Sequence, residues 1–131
     1  MPGGFAQDSG PCPCGGGEYS RCCGPLHRRE RRAETAEQLM RSRYSAFAKG
    51  GVDYLLHSHA PTESRRSLRQ AGRQTRWLGL RVLRVTGGGL KDREGTVQFE
   101  ARYRGGVLIE TSLFQRRDGD VDGDWFYVGA L

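Results

Sequence analysis

Cys12, Cys14, Cys22 and Cys23 are the residues of this chain best suited to chemistry. All four fall within the stretch CPCGGGEYSRCC, and no cysteine follows it. The spacing C-x-C-x7-C-C suits a soft divalent ion, because four thiolates close a tetrahedron around Zn2+ at about 2.3 Å. Pro13 fixes its own φ between the first pair, and Gly15, Gly16 and Gly17 let the backbone reverse and return Cys22 and Cys23 to the same ion. A metal site is therefore predicted, with Zn2+ as the ion and Fe2+ as a less typical occupant. His27, five positions after Cys22, is an alternative fourth ligand in place of Cys23. The same residues allow other chemistry: three disulfide pairings, although a Cys22–Cys23 bridge would be strained, or a reactive thiolate favoured by Arg21 and Arg28. A closed set of four thiolates leaves no open coordination position and cannot activate water, so the role it implies is structural.

The elements that must hold this segment follow it in the chain. Glu34 to Lys49 reads as a helix, with Ala36, Leu39, Met40, Tyr44 and Phe47 on one face at three- and four-residue steps. Thr35 can start it and Gly50-Gly51 can end it with a left-handed cap. A second helix is expected over 52–59 and a third, rich in Arg, over 62–75. From Trp77 the period changes to two. Strands are expected over 78–85, 96–104, 107–116 and 125–128, the second being the clearest because Val97, Phe99, Ala101 and Tyr103 alternate with polar residues. Gly105-Gly106 is predicted as a hairpin turn. The acidic loop at 118–124 lacks the final Glu of a calcium loop and reads as a solvated turn. Helices first and antiparallel strands afterwards indicate an α+β layer fold.

A turn at Gly105-Gly106 pairs Phe99 with Ser112, Ala101 with Glu110 and Val97 with Phe114. Glu110 and Ser112 then share the helix-covered face with Phe99 and Tyr103. Arg43 lies on the inward stripe of the first helix, so Arg43 and Glu110 are expected to pair or to share a polar pocket. Tyr44, His57, Tyr103 and Ser112 complete the candidate pocket. His59 is a further candidate, but two residues apart on a helix His57 and His59 point differently, so at most one is expected to enter. Trp77, Trp125 and Tyr127 read as core aromatics. Arg102, Ile109 and Leu113 fall on the outer sheet face, where exposed apolar residues suggest a homodimer contact.

The chain has 131 residues and a formal charge of +6. That length suits one domain with a small appendage. Residues 1–76 hold 13 Lys/Arg against 7 Asp/Glu, whereas residues 77–131 hold 8 of each. An anionic partner surface such as a ribonucleoprotein is compatible with this basic half, though no aromatic interleaving marks a base-stacking platform. No apolar run is long enough to span a membrane as a helix. The first ten residues lack a secretion signal, so a cytoplasmic location is expected. Residues 1–11, rich in Gly and Pro, read as loosely held.

CPCGGGEYSRCCGPLH followed by TAEQLMRSRYSAFAKGGVDYLLHSHAP closely resembles the bacterial YchJ family of uncharacterised proteins. The cysteine block is also similar to the SEC-C metal-binding motif at the end of the SecA translocation motor, with seven residues in place of the usual eight between the second and third cysteines. The later ARYR, ETSLF and DWFYV resemble the domain this family shares with the nuclear transport factor 2 superfamily. The resemblance implies a flexible N-terminus and zinc knuckle over 1–27, and a cystatin-like cone of about three helices on a four-stranded antiparallel sheet over 28–131. It supplies no reaction. It implies a binding module for a protein, ribosome or translocation partner. The alternative is a small-molecule binder or enzyme using the pocket between helices and sheet, for which a cavity of about 300 Å3 or more is expected.

Overall fold

The computed structural model describes residues 9–131, with side chains omitted at 71–74. The expectation of a loosely held start therefore falls, for the most part, outside the described residues. After a 3-10 turn at Tyr19–Arg21 come helices α1 (Gly24–His27), α2 (Ala36–Lys49), α3 (Val52–His57) and α4 (Arg65–Gln74), then strands β1 (Trp77–Gly87), β2 (Glu94–Tyr103), β3 (Gly106–Arg116) and β4 (Trp125–Ala130). The sheet is antiparallel throughout in the order β1-β2-β3-β4. This is the α+β arrangement expected from the sequence, with helices on one face of a four-stranded sheet and a cysteine knuckle ahead of them. The one-turn α1, opened by a proline in its first turn, was not expected.

Helix α2 positions everything else. Thr35 caps it by accepting from the Gln38 amide at 3.1 Å. Gly50, at φ +80°, ends it in the left-handed conformation that glycine adopts without strain. Its apolar stripe packs into a core with Leu55, Leu68, Val97, Phe114 and Trp125. Helix α3 stops at His57, two residues short of the expected end at His59. Residues 58–60 instead pair with the sheet edge: Tyr127 N donates to Ser58 O at 2.8 Å, and Ala60 N to Tyr127 O at 2.8 Å. Part of the edge of β4 is thereby satisfied.

The hairpin register differs from expectation by two. Val97 opposes Ser112, Phe99 opposes Glu110 and Ala101 opposes Leu108. The turn is Arg104-Gly105, because Gly106 stays in the ladder opposite Tyr103. A Cβ at Gly106 would lie 2.9 Å from the Tyr103 hydroxyl, so Gly106 gives that ring its seat. A shift of two preserves side-chain faces, so Val97, Ala101, Ser112 and Phe114 are buried under the helices. On the outer face Arg102 and Ile109 are exposed and Leu113 is half-buried. No helix among the described residues is long and apolar enough to cross a membrane.

Candidate metal centre and adjoining cavity

The knuckle is a small reversal. Cys12 N donates to Gly17 O, Gly15 N to Cys12 O, and Tyr19 N to Gly10 O. Gly16 crosses directly over the sulfurs: a Cβ there would come 2.8 Å from Cys22 Sγ and 3.3 Å from Cys14 Sγ. The 3-10 turn then returns Cys22 and Cys23 to the first pair, and α1 opens directly after them.

All four sulfurs lie within 4.8 Å of one another. Cys14 Sγ is 3.5 Å from Cys22 Sγ and 3.8 Å from Cys23 Sγ. The edge of a tetrahedron built on 2.3 Å metal–sulfur bonds is about 3.8 Å. No disulfide joins any of the four. Cys12, Cys14 and Cys23 are buried and Cys22 is half-buried. Hydrogen bonds from Cys14 and Cys23 hold the Cys12 thiol far below the ordinary thiol range. Burial, then the neighbouring Cys14, pushes Cys22 up to about 12, and bonding to Cys12 and Cys14 together with burial raises Cys23. Sulfurs this close do not all ionise without a cation between them, and a thiophilic dication meets that need. The donor set fits a four-coordinate metal ion.

His27 stands outside this set. Its Nε2–H donates to Ser42 O at 2.8 Å, which leaves Nδ1 to accept from the Tyr19 hydroxyl at 2.6 Å. Burial lowers its pKa, in keeping with a neutral ring. The imidazole is a strut between the knuckle and α2. Arg41 Nη1 adds a bond to Cys14 O at 3.0 Å, and Ser45 Oγ lies 3.4 Å from Cys12 Sγ. Ser42 and Ser45 are both 0% exposed. Ser42 Oγ donates to Leu39 O and accepts from the Tyr54 hydroxyl at 2.6 Å. Sequence reasoning missed Arg41, Ser42 and Ser45. The available signal was the pair of small hydroxyl residues, three apart, on the helix face opposite the apolar stripe.

Behind α2 lies a cavity of about 360 Å3 between helices and sheet. Arg43, Tyr44, Glu110 and Ser112 line it. His57 and Tyr103 do not. His57 is exposed and lines a separate groove with Arg32 and Asp124, because α3 ends there and the chain turns onto β4. Tyr103 instead sets its ring edge-on to Trp77 at 5.8 Å. The extended segment delivers His59 to the cavity, edge-on to Tyr127 at 5.1 Å. Arg43 and Glu110 share the cavity without an ion pair. Arg43 Nη1 donates to Leu55 O at 2.8 Å and Ser58 Oγ at 2.7 Å, and its guanidinium lies over Tyr127 at 4.9 Å. Burial pulls the Arg43 pKa down to about 10. Glu110 Oε2 accepts from Ser112 Oγ at 2.6 Å and from the Tyr127 hydroxyl at 3.0 Å. Burial, with Glu110 beside it, pushes Tyr127 up to about 12. Tyr127 and Trp77 are thus cavity walls as well as packed aromatics, whereas Trp125 is core.

A four-thiol knuckle docked on a helix-over-sheet domain defines a class, and the comparisons place the chain within it. Residues 35–130 match YchJ, middle NTF2-like domain. The chain is 47% identical over 120 residues to the UPF0225 protein of Streptomyces coelicolor, covering 90% of this chain and 92% of that one. It is 44% identical over 133 residues to the UPF0225 protein of Chromobacterium violaceum, covering 95% of each. The chain belongs to the YchJ (UPF0225) family. Among solved structures it resembles a SEC-C motif containing protein from Rhodopseudomonas palustris, with a TM-score of 0.79 and 35% identity over 93% of this chain and 98% of that one. It also resembles one from Psychrobacter arcticus, with a TM-score of 0.80 and 27% identity over 95% and 83% respectively.

Proposed function

We propose that Cys12, Cys14, Cys22 and Cys23 hold one structural Zn2+ and that the knuckle is a binding module for a protein or ribonucleoprotein partner. The observation that carries the metal reading is the mutual approach of four sulfurs at tetrahedral spacing. All four ligand positions are filled by protein, so the ion would fix the fold of residues 12–27 on α2. The rim around this segment is basic. Arg21, Arg29 and Arg31 are exposed, as is Arg69, which lines a groove with Tyr19 and His27, and among the described residues none of them makes an ion pair. The SEC-C motif named in both structural relatives supports a shared role for the knuckle. The test has two parts. Elemental analysis of reduced, unchelated protein should find about one zinc per chain, and Co2+ substitution should give thiolate-to-metal charge-transfer bands. Capture from lysate should be lost in the Cys22→Ser/Cys23→Ser variant. No bound metal in the intact chain would overturn the reading.

A second reading rests on the cavity, whose volume falls within the range of small-molecule sites. In that reading the domain binds a small ligand behind α2 while the knuckle supports the helix from outside.

A further inference from the structure

Arg43 is 6% exposed, and the hydrogen bonds recorded for it both leave from Nη1. Among the described residues no carboxylate lies within ion-pair distance of it. A buried guanidinium without an anion is costly, and the Tyr127 face offsets only part of that cost. Its remaining fork of N–H groups has the planar geometry that suits a carboxylate. In the same wall, the buried Trp77 Nε1 has no hydrogen-bond partner among the described residues. The guanidinium calls for an acceptor in the cavity.

The rest of the lining limits what that acceptor can be attached to. Both bonds to Glu110 fall on Oε2. Glu63 also lines the cavity, its carboxyl held below the usual range by backbone bonding at Ser64. His59 donates Nδ1–H to Ala60 O at 2.8 Å, which leaves the Nε2 lone pair as an acceptor. One cation and two carboxylates disfavour a plain anion. They favour a molecule that carries its own donor beside its carboxylate. Met40, Phe47, Leu68, Phe99 and Phe114 form much of the remaining wall and suit an apolar body.

We infer that the cavity binds a zwitterionic small molecule, an apolar α-amino acid or close analogue, with its carboxylate on Arg43 and its ammonium on Glu110. This inference rests on the reading of the cavity as a ligand site. The metal-loaded chain is titrated by amide NMR with L-phenylalanine, 3-phenylpropionate and 2-phenylethylamine. Phenylalanine should shift the amides of Arg43, Phe99, Glu110 and Tyr127 saturably. The two analogues, each lacking one head group, should bind about tenfold or more weakly. Arg43→Lys should weaken phenylalanine about tenfold, and Glu110→Gln should weaken phenylalanine while sparing phenylpropionate. Either analogue binding as tightly as phenylalanine overturns the zwitterion assignment and leaves the cavity reading standing. No saturable shift from any of the three, or shifts away from the cavity, overturns both. The analogue comparison uses the unmodified chain, so it decides the matter even where a variant fails to fold.

Discussion

Replacing Ser45 by Ala should loosen the metal without loosening the fold. Ser45 is fully buried, and its hydroxyl lies 3.4 Å from Cys12 Sγ, where it can donate to a thiolate. Cys12 is itself 4% exposed, so no water readily takes over the role. A hydrogen bond to a charged acceptor contributes about 1.5–3 kcal/mol, equivalent to about 10- to 100-fold in the metal dissociation constant. Losses of that size are typical when a group bonded to a ligand is removed. The substitution leaves little space, and alanine is the better helix former by about 0.5 kcal/mol, so the metal-free chain should melt unchanged or slightly higher. The two effects have opposite signs. Competition against a chromophoric chelator reads the first, and thermal melting of the chelated protein reads the second. Unchanged metal affinity would refute the reasoning. So would a parallel fall in both measurements, which would mark Ser45 as a packing residue only.

Gly16→Ala, whose Cβ would meet two sulfurs, should lower metal affinity in the same competition assay. Gly15→Ala, with nothing within 4 Å of its added Cβ, should cost about 1 kcal/mol of backbone strain in the melt and leave the sulfurs in place. Ser42→Ala strands the buried Tyr54 hydroxyl and should cost about 1–3 kcal/mol in urea unfolding, with Tyr54→Phe in that background recovering most of it. Arg116 reaches the carbonyls of Asp92, Gly123, Gly89 and Leu90 and stacks on Trp125 at 4.3 Å. Lysine cannot span that set, so Arg116→Lys should destabilise by about 2–4 kcal/mol by the same measurement.

The legible parts of this molecule were those governed by local periodicity. The α2 stripe, its Thr35 and Gly50 caps, and the alternation along β2 each follow from neighbours within a few residues, and each holds in the fold. The hairpin shifted by two because adjacent glycines offer two placements for the turn. In the fold Gly105 takes the turn at φ +112° and Gly106 seats the Tyr103 ring, a side-chain contact that residue spacing does not encode. His57 and His59 exchanged places for a similar reason. The first helix breaker after Val52 is Pro61, yet pairing of residues 58–60 with β4 ends the helix earlier, and that partner lies far along the chain. Ser42 and Ser45 were hardest to see. A serine opposite an apolar stripe has the pattern of a solvated face until a separate segment covers it.

Covering that face gives α2 an unusual position. One side carries Arg41, Ser42 and Ser45 against the knuckle, and the other carries Met40, Arg43, Tyr44 and Phe47 along the cavity. Tyr44 belongs to both: it packs in one cluster with Cys12, Cys14 and Cys23 and also lines the cavity, its ring edge-on to Trp77 at 5.7 Å. A helix held on two sides moves as a rigid element, so an ion that fixes the knuckle also fixes where Arg43 sits. Stripping the metal should therefore weaken binding of a cavity ligand, although no thiolate touches it. By linkage, a saturating ligand should tighten metal binding by the same factor. Measuring the ligand dissociation constant with and without metal tests the idea directly, because an unchanged value would mean that the two sites do not communicate through a shared helix.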